Sequence, residues 1–145
     1  MQNYISLGSD HAAVAFKQTL INYLNSKGYD IRDCGTHSQI SCDYPDFAKK
    51  VALDVQQKNS KYGILCCGSG IGMSIQANRL KGVRAANVWN VETARLSKQH
   101  NNANILCLGV RMHSESLLFD MINTWLSTEF ETRHQQRIDK LDIDS

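Results

Sequence analysis

At 145 residues, with a net charge of +2, 21% charged and 42% hydrophobic side chains, the chain has the size of one domain with a core of its own. Its basic residues are scattered rather than clustered, which excludes a nucleic-acid footprint or a surface built for an acidic partner and leaves a small-molecule task. Cys34, Cys42, Cys66, Cys67 and Cys107 form an odd set with no CxxC and no zinc spacing, so we expect no disulfide framework, no metal and a reducing, cytoplasmic setting.

The first residues, Met1 to Ile5, show no basic region ahead of an apolar stretch, and no run approaches the roughly 18 apolar residues of a membrane span. Short apolar runs at 4–7, 30–34, 62–67, 83–88 and 104–108 read as strands. They alternate with amphipathic stretches near 13–27, 46–58, 71–80, 91–100 and 114–127, and Pro45 suits the first turn of the second helix. Strands that are apolar almost throughout, joined by helical crossovers, predict an α/β fold with a parallel sheet between two helical layers. No repeat or linker divides the chain, so residues 1–145 read as one domain, with 128–145 a polar tail that is helical from Arg133.

In such sheets the working residues collect at the carboxyl ends of the strands. The first strand ends in Gly8-Ser9-Asp10-His11, the third in Cys66-Cys67-Gly68-Ser69-Gly70-Ile71-Gly72, the fourth in Asn87-Val88-Trp89-Asn90 and the fifth in Gly109-Val110-Arg111. A carboxylate, an imidazole, a thiol and a guanidinium can thus share one rim. The thiol beside a glycine-rich helix start is the most informative of these, because backbone N–H groups there stabilise anions and thiolates alike. The same loop would also serve as a tight turn with Cys67 as a small buried hydrophobe. Taken singly, Asp10 could be a helix cap and His11 a turn residue; their adjacency, facing a thiol, resembles a proton shuttle. Asn90 reads as an N-cap, and Arg95 and Lys98 as a solvated helix face.

Three familiar loops do not fit. A dinucleotide fingerprint needs GxGxxG and an acidic end to the next strand, whereas this loop is GxGxG and the next strand ends in Trp89-Asn90. A Walker loop needs a lysine, and none lies between Lys61 and Lys81. A cysteine phosphatase needs an arginine six residues beyond its nucleophile, where this chain has Met73. A redox role for Cys66-Cys67 is disfavoured by the strain of a vicinal disulfide.

Two further groups lie elsewhere. His100-Asn101-Asn102 closes the fourth helix, which carries it about 15 Å from the strand carboxyl ends to the opposite rim, so His100 is far from the Cys67 of its own chain and can act there only from a neighbouring subunit. Arg133 and Arg137, four residues apart on a helix, suit a phosphate, although a solvated basic face would look the same. Residues 128–132 can extend about 17 Å, which leaves the subunit that Arg133 serves open.

Together Gly8-Ser9-Asp10-His11, Asp43-Tyr44-Pro45, Cys67 to Ser74, Ser97-Lys98-Gln99-His100-Asn101, Gly109-Val110-Arg111 and Arg133-His134-Gln135-Gln136-Arg137 resemble the type B ribose-5-phosphate isomerases, which include the galactose-6-phosphate isomerase subunits. The resemblance spans nearly the whole chain. It implies a five-stranded Rossmann-like α/β/α sandwich, a homodimer or dimer of dimers with shared sites, and cofactor-free interconversion of ribose 5-phosphate and ribulose 5-phosphate; the alternative substrate is a six-carbon sugar phosphate. By resemblance, Cys67 is the base assisted by Ser69, Asp10 relays protons between substrate oxygens, and His100 opens the furanose. Amides of Gly68, Gly70, Ile71 and Gly72 hold the enediolate, Tyr44 and Asn101 hold hydroxyls or ring oxygen, and His11, Arg111, Arg133, His134 and Arg137 take the phosphate. Ser69 stands where many members carry Thr, and Ile75 and Gln76 supply no carboxylate where some members have one. Cys66, one residue from Cys67 along a strand, points the other way and is read as packing.

Overall fold

The computed structural model describes residues 4–143, so the first three residues of the N-terminal stretch and the last two of the tail lie outside it. Five strands, β1 (Tyr4–Ser9), β2 (Asp30–Asp33), β3 (Tyr62–Cys67), β4 (Ala85–Asn87) and β5 (Ile105–Gly109), form one parallel sheet in the order β2-β1-β3-β5-β4. The long helices are α1 (Val14–Ser26), α2 (Tyr44–Gln56), α4 (Val91–Gln99) and α5 (Glu115–Ser127), with a shorter α3 (Ile71–Ala77) and, in the tail, α6 (Gln135–Ile138). Among the described residues no helix is long and apolar enough to cross a membrane.

Side-chain alternation along β3 divides the core in two. Ile64 and Cys66 face a cluster built with Leu20, Leu24, Ala94, Leu118 and Trp125, which puts α1, α4 and α5 on one face of the sheet. Leu65 and Cys67 face Val51, Ala52, Met73 and Ala77, which puts α2 and α3 on the other. The predicted three-layer α/β/α arrangement is therefore the observed one. The chain leaves β1 toward β2 through α1 and leaves β3 in the opposite sense through α3, on opposite faces. This reversal between two neighbouring strands opens a crevice at their carboxyl ends.

Some boundaries differ from the sequence expectation. Helix α3 stops at Ala77 rather than near 80 because Asn78 turns its amide onto the edge strand: its Oδ1 accepts from Ala85 N at 2.8 Å and its Nδ2 donates to Ala85 O at 2.9 Å. β4 is confined to three residues because Arg84 N is taken by Asn104 Oδ1 (2.7 Å) before the ladder to β5 begins. Pro45 does sit in the first turn of α2, and Asn90 caps α4 through a full capping box with Thr93. Lys98 corrects the expectation of a solvated face. It is 3% exposed, its Nζ donates to Trp125 O (3.1 Å) and lies over the rings of Tyr62 and Trp125 at 4.1 and 4.3 Å. Arg95 stays at the surface, paired with Glu92 and Gln99.

Candidate functional site

The crevice between β1 and β3 is a cavity of about 430 Å³ lined by Asp10, Tyr44, Cys67, Gly68, Ser69, Gly72, Arg111 and Met112. Each side chain arrives there through a local device. Asp10 follows β1, its N–H bonded to Cys66 O (3.2 Å), and its Oδ1 caps the 3-10 turn His11–Ala13 by accepting from Ala12 N at 2.9 Å. One carboxylate oxygen is committed to that cap. Tyr44 opens α2. Arg111 follows β5, and its N–H is held on Gly68 O (3.1 Å), which draws its side chain across Gly68.

Cys67 ends β3 and is 6% exposed. Its Sγ accepts a hydrogen bond from Gly70 N at 3.0 Å. That bond needs Gly70 in the left-handed region, at φ +81°, and a Cβ there would lie 2.7 Å from Asn87 Oδ1 and 3.0 Å from the Leu108 carbonyl carbon. Gly72 is required for a different reason: a Cβ on it would stand 2.6 Å from Cζ of Tyr44, so the loop and the tyrosine ring can lie together only because it has no side chain. The Ser69 hydroxyl accepts from Ile71 N (3.2 Å), which tightens the turn and places it beside the thiol's loop rather than on the sulfur itself. Two loop amides, those of Gly70 and Ile71, are thus turned onto the loop's own side chains. The N–H groups of Gly68 and Ser69 find no partner among the described residues and can serve an anion in the cavity. Cys66, one residue away, faces the opposite core cluster, and burial together with the neighbouring Cys67 pushes its thiol far above the ordinary range.

His11 follows Asp10 in the chain, outside the residues that line the cavity, with its Nδ1 accepting from Cys42 N at 3.3 Å and lying 3.8 Å from Cys42 Sγ. In the neutral ring that bond puts the proton on Nε2, leaving a donor.

The remaining candidates gather at the opposite rim. Glu131 N donates to Gln99 O (2.9 Å), fixing the tail against the end of α4, and the rings of His100 and His134 lie 4.4 Å apart. Arg133 Nε bonds Glu131 Oε2 (3.1 Å), and Arg137 Nη1 lies 3.1 Å from His134 Nδ1. The two arginines do not share one helix, as the sequence suggested: Arg133 lies in the 3-10 turn Thr132–His134 and Arg137 in α6, and Glu131, two residues upstream, is the acidic partner that the spacing concealed. Asn101 lines a separate cavity of about 400 Å³ with Asn78, Arg84 and Ile138.

His100, Glu131 and His134 are the group of described residues whose donor atoms could meet a metal, lying within 4.8 Å of one another. Their surroundings suit an anion better. Arg133 already neutralises Glu131, and Arg137 donating to His134 Nδ1 makes Nε2 of that 8%-exposed ring an N–H donor without a partner. Burial, reinforced by Arg133, His100 and Arg137, holds the His134 imidazole below its ordinary range. Within one chain there are therefore two separate clusters: a thiol, carboxylate and amide cradle at one rim, and an imidazole and guanidinium cluster at the other.

The chain matches the Ribose/Galactose Isomerase family model over residues 5–141. It is 48% identical to a ribose 5-phosphate isomerase of Thermotoga maritima, whose crystal structure superposes with a TM-score of 0.93 over 96% of this chain and 97% of that one. It is 38% identical over 138 residues to ribose-5-phosphate isomerase B of Escherichia coli, covering 94% of this chain and 93% of the other. Galactose-6-phosphate isomerase subunit LacB of Clostridium acetobutylicum is 37% identical over 137 residues, 94% of this chain and 79% of that protein.

Proposed function

This chain belongs to the ribose/galactose isomerase family, and from that premise we propose that it interconverts ribose 5-phosphate and ribulose 5-phosphate with Cys67 as the base. It is an aldose–ketose isomerase of sugar phosphates. The observation that carries the choice of base is the Gly70 N–H aimed at Cys67 Sγ, 3.0 Å away, inside a cavity that also holds Asp10, Tyr44 and Ser69. The thiolate is the form that can take a proton from carbon, and the Gly70 N–H stands where it can donate to that sulfur.

The reaction runs on the open-chain sugar. Cys67 removes the proton from C2, and the electron pair moves through C1 onto the carbonyl oxygen, giving an enediolate. The free N–H groups of Gly68 and Ser69 stabilise the charge on that oxygen, an effect commonly worth about 3 kcal/mol per donor. Asp10, with one oxygen on its cap and the other available, carries the proton from O2 to O1, and the thiol returns its own proton to C1. Ser69 and Tyr44 hold substrate hydroxyls, while His11 Nε2–H and Arg111 face the phosphate.

Ring opening and the remaining phosphate contacts fall to the second cluster. Because His100, Asn101, Arg133, His134 and Arg137 lie away from the Cys67 cavity of their own chain, they complete the cavity of a second copy across a two-fold axis. Met112, which lines the cavity, and Ile71, at the end of its glycine loop, are exposed apolar side chains, as are Ile75, Trp89 and Val91, and they supply surface for that contact. The chain forms one catalytic domain of a homodimer or a dimer of dimers, and its five free thiols suit a reducing cytoplasm.

The deciding experiment follows ribulose 5-phosphate formation by the purified protein in EDTA, with Cys67→Ala beside it. Turnover should survive the chelator and fall by about 10²–10⁴ in the variant, the range for loss of a positioned base. Undiminished turnover in Cys67→Ala would remove the thiol from the mechanism. Six-carbon sugar phosphates run in the same assay should turn over more slowly.

A further inference from the structure

Lys17 is the one lysine of α1 that faces the core, at 3% exposure, and its ammonium is paired with the Asp33 carboxylate at the end of β2. Burying an ammonium is costly unless a partner and further hydrogen bonds compensate it, and a leucine would pack at such a position at no electrostatic cost. What the pair holds explains its presence. Asp33 Oδ1 also accepts from Gly35 N at 3.0 Å. Gly35 O in turn accepts from Ser9 N (2.8 Å), Thr36 N donates to Ser9 O (2.9 Å) and Cys34 N donates to Leu7 O (2.8 Å). The pairing of β2 with β1 is thereby prolonged to Ser9, the residue before Asp10. From Thr36 the chain runs over the surface through His37 to Ser41, exposed throughout. It reattaches where Cys42 N donates to His11 Nδ1 (3.3 Å), and two residues later Tyr44 enters the cavity.

The segment 34–43 is therefore a strap fixed at its two ends, one end on Asp33 and the other on His11. We propose that the Lys17–Asp33 pair, buried at its lysine end, is a positioning device for the sugar-phosphate site, clamping this strap in register with the end of β1 so that His11 and Tyr44 meet the substrate. The inference rests on the isomerase reading above. Lys17 touches no substrate; it acts through Asp33, Gly35 and the strap. His37, whose Nδ1 lies 3.6 Å from Asp33 Oδ2, is 71% exposed and adds little to the clamp.

The test pairs steady-state kinetics of full-length Lys17→Met on ribose 5-phosphate with amide hydrogen exchange. The KM should rise about tenfold with kcat changed less than about threefold, because substrate binding loses its preset donors while the Cys67 loop is untouched. The amides of Ser9 and Thr36, which close the strap onto β1, should exchange at least about tenfold faster, while those of β3 and β5 keep wild-type protection. Should the single variant fail to fold because Asp33 is left unpaired, Lys17→Met/Asp33→Asn removes both charges and should give the same two results. Faster exchange spread evenly over the sheet would reduce the pair to a plain stabilising contact, and an unchanged KM with local exchange faster would deny it any role in positioning; either overturns the inference. If the wild-type protein does not isomerise ribose 5-phosphate at all, the functional reading fails first, and the exchange data still decide whether the clamp exists.

Discussion

Gly70→Ala tests the loop at its most constrained point. A Cβ at this residue meets two separate costs. The backbone sits at φ +81°, where an L side chain costs about 1–2 kcal/mol. The methyl would also lie 2.7 Å from Asn87 Oδ1 and 3.0 Å from the Leu108 carbonyl carbon, and since Leu108 belongs to a fully buried central strand the loop must give way, an overpacking cost of about 1–3 kcal/mol. The sum is about 2–5 kcal/mol, which at about 3 °C per kcal/mol for a domain of this size lowers Tm by about 6–15 °C. The functional effect is separate. Moving the loop withdraws the Gly70 N–H from Cys67 Sγ and displaces the adjoining Gly68 and Ser69 amides from the enediolate oxygen, and loss of one such oxyanion donor costs about 10²–10³ in kcat. Both quantities are accessible, Tm by calorimetry and kcat on ribose 5-phosphate well below the lowered Tm, with the rate of Cys67 alkylation by iodoacetamide reporting the thiolate directly. A variant that loses stability while alkylation and kcat remain at wild-type values would refute the claim that this amide activates the sulfur.

Cys66→Ala should retain turnover to within about threefold, since its side chain faces the far core and burial holds its thiol protonated; iodoacetamide should label Cys67 of the wild type while leaving Cys66 unmodified. Loss of activity on changing Cys66 with Cys67→Ala still active would exchange their roles. Burial, aided by Lys61, lowers the Lys98 ammonium from 10.5 to about 8. Between those two values the unfolded chain holds a proton that the folded chain has released, so the contribution of Lys98 to stability rises as pH climbs from 8 to 10.5. Urea titrations at pH 7 and pH 10 should therefore show the wild type gaining on Lys98→Met at the higher pH; an equal difference at both would show the lysine to be unperturbed.

Much of the cavity was legible because its parts lie next to strand ends. The apolar runs, the glycine loop and the chain order of βα units place Asp10 after one strand and Cys67 after another, and the rule that parallel sheets work at their carboxyl ends does the rest. Period-two alternation likewise separates Cys66 from Cys67 without coordinates, and the two thiols do face different core clusters. The length of α4 correctly sends His100 to the far rim, where it meets His134. Lys98 escaped the same reasoning. A cation among polar neighbours on a helix reads as solvated, and only the packing of α4 against α5 and Tyr62 reveals a carbonyl and two aromatic faces waiting for it. Glu131 was missed because a partner two residues from Arg133 matches no helical spacing, and Lys17–Asp33 because its members belong to different elements.

Local chemistry along the chain was thus enough to determine the strands, the loop and which side chains stand at the strand ends, because each depends on neighbours in sequence: hydrophobic period, glycine conformation, the residue that follows a strand. Tertiary structure alone decided that the sheet order puts β1 beside β3, so that Asp10 and Cys67 share a crevice, and that the histidine–arginine cluster lies at the other rim of the same subunit. Those facts depend on which strands become neighbours and how a helix end meets the tail, and such long-range pairing is set by the packing of whole faces, which short stretches of sequence do not encode.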